Sequence, residues 1–187
     1  MGHLTLIITL VWSCFSVAQP AYLITASGAI VDDWQKVGSA ELDWLFFDVY
    51  RSDLLTPDGE YHLSHDVTPH PLALLITYER DISSAQLLEA TDEQWRKLGF
   101  SAEDRKGWLE HLQRIFPDVQ DGDELVYVSD GKLGEFRFKR VYQQEWVALG
   151  YIKQEAFSDA FLSIWLSPNS QYPQLRRQLI GMNRTEK

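Results

Sequence analysis

Cysteine is almost missing from this 187-residue chain, which has one, Cys14. A single thiol closes no intramolecular disulfide, so the fold must stand on its hydrophobic core, and CxxC redox or zinc motifs are excluded. Charge is missing from the first 31 residues, since all 17 basic and 27 acidic residues lie from Asp32 onward. Basic residues are sparse throughout. A net charge of −10 and a pI near 4.9 argue against an electrostatic grip on nucleic acid or anionic lipid headgroups. ERDIS, EDRK and FKRV mix their cations with acids. The densest pair, Arg176-Arg177, reads as a solvated face near the C-terminus of a last helix. No GxSxG elbow and no phosphate-cradling glycine loop is present.

What the first residues do contain is the apolar stretch LTLIITLVWSCFSVA, Leu4 to Ala18, closing on the small residues Ser16 and Ala18. That pattern is an export signal with cleavage after Ala18. The n-region carries only the amino group and His3. A membrane anchor is the competing reading, but fifteen apolar residues before Gln19-Pro20 are short for a span of about 20. VWSC puts Trp12 where a lipoprotein signal wants a small residue. Cleavage leaves 169 residues without cysteine, a single domain over residues 19–182 and a short tail over 183–187, in the periplasm or secreted.

With 45% hydrophobic and 13% aromatic residues, the mature chain can bury a sizeable core. GSAELDWLFFDVY (38–50) reads as one strand apolar on both faces, and therefore central. LALLITYE (72–79) is a second. ELVYVSDGKLGEFRFKRV (124–141) alternates on either side of Asp130-Gly131, the mark of a hairpin, and EWVALGYI (145–152) adds a strand. Between them, Ser83 and Gln86 form a capping box opening a helix with Leu87, Leu88, Thr91, Trp95 and Leu98 inward. Ser101 opens another carrying Trp108, Leu109, Leu112, Ile115 and Phe116. YPQLRRQLIG, with Pro173 early and Gly181 after it, is the last helix. The order does not alternate as βαβ units. It predicts an α+β fold, a mostly antiparallel sheet with helices on one face.

FSDAFLSIWLSP (157–168) poses the functional question. At helical period Ala156, Phe157, Ala160, Phe161, Ile164 and Trp165 share one face, opposite Ser158, Asp159 and Ser163. The apolar face either covers the sheet as core or roofs a cavity.

Polar site candidates are weak. HLSHDVTPH offers His62, His65, His70 and Asp66, types that bind zinc, yet on an extended segment His62 and His65 point to opposite faces, and the run reads as a surface loop. His111 falls on a polar helix face and reads as solvent-facing. DVQDGDE (118–124) lacks the twelfth-position glutamate of a calcium loop and reads as a tight turn. Asn183-Arg184-Thr185 is a glycosylation sequon, meaningful only in a eukaryotic secretory route. No cofactor and no metal site is expected.

Four blocks carry a resemblance: GSAELDWLFFDVYRSDLLTPDG, LALLITYERDISSAQLLEATDEQW, WLEHLQRIFPDVQDGDEL and EAFSDAFLSIWLSPNSQYPQLRRQLIG. Together they resemble the bacterial chalcone isomerase-like family, exported members included, from about Gly38 to Met182. The last block is the most specific. The resemblance implies a curved antiparallel sheet, an open-faced sandwich, with helices on one face. The plant enzymes of that superfamily close a flavanone ring, using an arginine to hold the phenolate and hydroxyl donors to polarise the ketone. Their Gly-Val-Tyr-like triplet is matched here by Asp48-Val49-Tyr50, but the position five before the tyrosine is Leu45, not threonine. No arginine precedes Arg51, and Lys36 is the one basic residue upstream. Isomerase or lyase activity is therefore not expected; it would require Lys36 to reach the pocket. The superfamily also includes fatty-acid binders.

Two readings follow. In the first, the protein is a non-catalytic binder of a fatty acid or similar apolar molecule, with Trp44, Phe46, Tyr50, Phe161 and Trp165 lining the site. In the second it is an interaction or scaffold protein of the cell envelope, with no ligand cavity and a large exposed apolar patch.

Overall fold

The computed structural model of the protein describes residues 33–44 and 47–182, with side chains at all of these except 43, 44, 47 and 48. The export stretch Leu4 to Ala18 and the sequon at Asn183 lie outside the described residues. Six strands, β1 (Gln35–Trp44), β2 (Phe47–Thr56), β3 (Leu72–Tyr78), β4 (Glu124–Ser129), β5 (Gly134–Lys139) and β6 (Val147–Ile152), form one open antiparallel sheet in sequence order. Four helices complete the described chain: α1 (Ser84–Lys97), α2 (Ala102–Leu112), α3 (Glu155–Leu166) and α4 (Pro173–Leu179). This is the α+β arrangement that the sequence predicts. Among the described residues no helix is long and apolar enough to cross a membrane.

One strand assignment fails. GSAELDWLFFDVY is not a single central strand: Trp44 pairs with Phe47 and Leu42 with Tyr50, so the run folds back into two strands. Apolar residues on both sides of a run are equally the pattern of two short arms laid side by side. The second arm continues through RSDLLT, which the sequence reading left outside any strand. Its polar residues are satisfied by β1: Ser52 Oγ donates to the Ala40 carbonyl at 3.1 Å, and Asp53 pairs with Lys36 at 2.8 Å.

Strand alternation sorts the side chains. Leu54, Leu72, Leu74, Ile76, Tyr78, Leu125, Tyr127, Phe136 and Phe138 join the cluster that the helices cover, while Leu55, Ala73, Val126 and Val128 form a separate cluster with Trp34, Leu75 and Trp146. Helices are held on the first face by complementary detail. In the capping box the Ser83 hydroxyl accepts from the Gln86 backbone at 3.3 Å and the Gln86 side chain accepts from the Ser83 backbone at 2.9 Å. Trp95 Nε1 donates to the Ala160 carbonyl at 2.7 Å. Its ring stands edge-on to Trp108 at 5.3 Å, and Trp108 stacks on Phe157 at 5.5 Å, tying α1, α2 and α3 together. Gly38 lets α4 lie on β1, because a Cβ there would stand 2.0 Å from the Gln178 carbonyl oxygen.

Helix α3 is buried almost all round, which corrects its expected polar face. Ser158 and Ser163 are buried, whereas Ala156, placed on the apolar face from the sequence, is exposed. Ser158 goes inside because its hydroxyl accepts from Tyr127 O–H at 2.8 Å, and a satisfied hydroxyl is cheap to bury. Ser167, extended as the residue before Pro168 must be, ends the helix. Arg176 Nε then donates to the Leu166 carbonyl at 2.6 Å, so this arginine caps α3 and is half-buried, while Arg177 is exposed.

Candidate functional site

Where α1 and α3 cross the β2–β4 end of the sheet, packing is incomplete and a cavity of about 390 Å³ remains. Leu42, Val49, Tyr50, Ile76, Tyr78 and Leu125 form its sheet wall. Leu87, Thr91 and Gln94 come from α1, and Phe161, Ile164 and Trp165 from α3; Phe116 and Tyr172 close its sides. The exposed lining residues Arg80, Asp81, Gln86 and Ala90 mark where it opens. A second hollow on the outer side of the α1–α2 pair has charged walls, with Arg105 paired to Asp92 across it. It lacks the apolar enclosure of the first.

Three phenols, Tyr50, Tyr78 and Tyr172, are among the polar groups of the lining. Trp165 Nε1 donates to the Tyr50 hydroxyl at 2.9 Å. Tyr50 is half-buried and lines the cavity. Tyr78 is 3% exposed, meets the Tyr50 ring edge-on at 6.4 Å, and its hydroxyl bonds to no other described residue. Burial raises the pKa of both phenols well above the ordinary value; the Trp165 bond pulls Tyr50 back in part, and neighbouring tyrosines add to the rise. Both hydroxyls therefore stay protonated donors. Gln94 Nε2 donates to the Tyr172 hydroxyl at 3.3 Å and Thr91 to the Leu87 carbonyl at 2.8 Å, so these two polar side chains stitch the wall.

A pH dependence follows from the phenols. Burial also raises Tyr127, and it pushes Tyr61 up to about 12. Unfolded tyrosine ionises near 10, so above that pH the unfolded chain loses protons that the native chain keeps, and stability falls as pH rises. Denaturant midpoints measured from about pH 8 to 11 should hold steady and then drop. A midpoint unchanged across that range would contradict the buried phenols.

Of the five side chains proposed from sequence, Tyr50, Phe161 and Trp165 line this cavity. Trp44 lies in β1, its side chain outside the described ones, and Phe46 lies outside the described residues. Sequence reasoning missed Tyr78, which strand alternation places on the Leu74 and Ile76 face, and Arg80, the cation at the rim. It had looked to Lys36, but Lys36 pairs with Asp53, which shares the sheet face of Leu55 and points away from the cavity. The question posed by FSDAFLSIWLSP has both answers: Phe157 is core against Trp95 and Trp108, and Phe161, Ile164 and Trp165 are roof.

The histidines of the HLSHDVTPH run lie in the loop between β2 and β3. His62 lies 3.1 Å from the Asp58 carboxylate, its backbone N–H donates to His70 Nε2 at 3.1 Å, and His65 is exposed. Asp58 is held down at about 2, first by the Glu60 backbone N–H and then by His62 and Thr56. Among the described residues no group of three or more His, Cys, Asp or Glu is arranged to hold a metal ion. His111, expected in solvent, is half-buried: its ring packs against Phe157 and its Nε2 hydrogen-bonds the Tyr151 carbonyl at 2.8 Å. The DVQDGDE run is a turn, as expected. Its buried Asp123 accepts from the backbone of Gln120 and Val141 and from Arg140.

The family model for chalcone isomerase-like proteins matches residues 27–181. The chain belongs to the chalcone isomerase-like family. An uncharacterized protein of Haemophilus influenzae is 30% identical over 159 residues, covering 85% of this chain and 74% of that one. Among the described residues of this chalcone isomerase-like domain the cavity lining has no histidine, lysine, serine or cysteine, and the charged ones, Arg80 and Asp81, sit at the exposed rim.

Proposed function

We propose that this is an exported, non-catalytic chalcone isomerase-like protein that binds a fatty acid or similar apolar ligand between the sheet and helices α1 and α3. The observation that carries the reading is the cavity itself, about 390 Å³ and enclosed mainly by aliphatic and aromatic side chains, with the tyrosines Tyr50 and Tyr78 in its wall. Apolar walls with a few orienting hydroxyls are the usual make-up of a small-molecule site. The volume is at the low end of the range of about 300–1,000 Å³ for such sites, which suits one slender chain. Among the described residues the interior lining consists of apolar side chains, phenols, Thr91 and Gln94, which supports binding without chemistry. The uncharged, apolar first 31 residues support export to the periplasm or beyond.

The envelope-scaffold reading has one observation in its favour. Val141, Tyr142, Val147 and Tyr151 are all exposed on the β5–β6 connection and the edge strand β6, where a protein partner could add. That reading required a closed core, and the cavity does not fit it.

Calorimetric titration of the mature chain with dodecanoate tests the proposal. Burial of the tail's methylenes, less the cost of association, predicts saturable one-to-one binding. Absence of saturable binding to either dodecanoate or its methyl ester would overturn it.

A further inference from the structure

The helices cover one face of the sheet. For the other, we propose that residues 19–32, between the expected cleavage after Ala18 and β1, lie across it as a third layer. The outer face is buried although no described element lies over it. Strand register lays Leu55, Ala73, Val128 and Glu135 in one row across it, with Val126 and Arg137 in the next. All six are buried, Val126 at 0% and Glu135 at 1% exposure. None of the four helices contributes a side chain to this cluster, and beyond the strands its described partners are Trp34 and Trp146, one before each edge strand. Six strands span about 24 Å, more than two indoles reach across. Glu135 and Arg137, paired at 3.0 Å, make the same point, since charged side chains on a sheet face open to water stay solvated.

The length and position of the chain outside the described residues name the occupant. β1 opens with Gln35 opposite Thr56, next to Leu55, and the preceding Trp34 already packs in the outer cluster, so the chain reaches β1 from that face. Residues 19–32 number fourteen and extend to about 45 Å, enough to cross the sheet and turn part of the way back. From Ala21 to Val31 they carry no charge, with the runs AYLITA and AIV on either side of Ser27-Gly28. An extended AYLITA sends Tyr22 and Ile24 to one side and Leu23 to the other, so it offers Val126 and Val128 an apolar side whichever way it lies. The chain after Met182, NRTEK, is polar and charged, and residues 45 and 46 join β1 to β2 at the end away from Leu55. Neither suits this face.

The chain from Gln19 onward has no cysteine, so one introduced thiol reports on each face. Ala73→Cys probes the outer face, and Ser163→Cys, buried on α3, probes the helix side. In the mature protein both should react with iodoacetamide at least about a hundredfold more slowly than in the urea-unfolded chain. Introducing Leu23→Asp, Ile24→Asp and Ile30→Asp together should speed labelling at Ala73→Cys at least about tenfold and leave Ser163→Cys slow. A second measurement needs no stability from that triple variant: p-benzoylphenylalanine in place of Tyr22 or Leu23, in the otherwise unaltered mature chain, should crosslink on irradiation to peptides of β3, β4 and β5. Rapid labelling of Ala73→Cys in the mature protein would assign the cover to the leader or to a partner, and protection lost on dilution would assign it to a second copy. Crosslinks confined to the helices, or protection unmoved by the triple variant in a folded protein, would place residues 19–32 elsewhere. Each of these results overturns the proposal.

Discussion

Trp95→Ala is expected to cost about 3–5 kcal/mol of stability, the largest loss from any single substitution considered. Trp95 is fully buried and does three jobs. Its ring fills the junction between α1 and α2, it packs edge-on against Phe157 of α3 at 6.0 Å, and its indole N–H satisfies the Ala160 carbonyl. Alanine leaves a cavity the size of an indole and removes the hydrogen bond at once. Trp95→Phe should fall between, at roughly 1–3 kcal/mol, since it keeps much of the volume but leaves the buried bond unmade. Urea unfolding of the three proteins checks the order. A loss below about 1 kcal/mol for the alanine variant would mean that the three helices are not locked through this ring.

The second large effect concerns binding. Ala90 lies on α1 at the exposed rim of the cavity, so a larger side chain there can be accommodated without forcing the core apart. Ala90→Trp should project an indole across the opening and weaken dodecanoate binding at least about tenfold, which is about 1.4 kcal/mol, with the thermal midpoint nearly unchanged. Surface substitutions of this kind normally move stability by less than about 0.5 kcal/mol. Unaltered affinity in a folded Ala90→Trp protein would place the ligand elsewhere. Loss of both folding and binding is separated from this outcome by the far-ultraviolet circular dichroism of the same sample.

The elements most legible in the sequence are those with local punctuation. The Ser83–Gln86 box, the Asp130-Gly131 turn and the Ser167-Pro168 stop each name their own boundary, because capping and turn chemistry act within a few residues. What failed was non-local. Leu42 and Tyr50 lie opposite each other on adjacent strands, and a run such as DWLFFDV, with no glycine, proline or asparagine to mark a turn, does not distinguish one long strand from two short ones. Ser158 and Ser163 failed for a related reason: a helix that meets the sheet on one side and other helices elsewhere has no solvent face, and a single serine gives no hint that a tyrosine thirty-one residues earlier, Tyr127, will bond to it.

The site was half legible for the same physical reasons. Aromatic residues at helical period picked out Phe161 and Trp165, but periodicity cannot say whether a ring ends against another ring or against empty space. Phe157 and Phe161, four residues apart, met those two fates. Tyr78 and Arg80 flank the end of β3 and gain their significance from what stands across from them: Tyr50 on the neighbouring strand, and the open rim beside α1. Lys36 was sought because it was the one cation upstream of the tyrosine, and the β1–β2 fold-back turned it toward Asp53 on the opposite face.

The most direct test of the central claim is native mass spectrometry of the mature protein recovered from cells that make it, repeated after organic extraction and on the Ala90→Trp variant. The account predicts a stoichiometric adduct of a few hundred daltons that extraction removes and that is missing from Ala90→Trp. A clean apo mass in every preparation, together with no uptake of dodecanoate or its ester, would contradict it and turn attention to the exposed edge at β6.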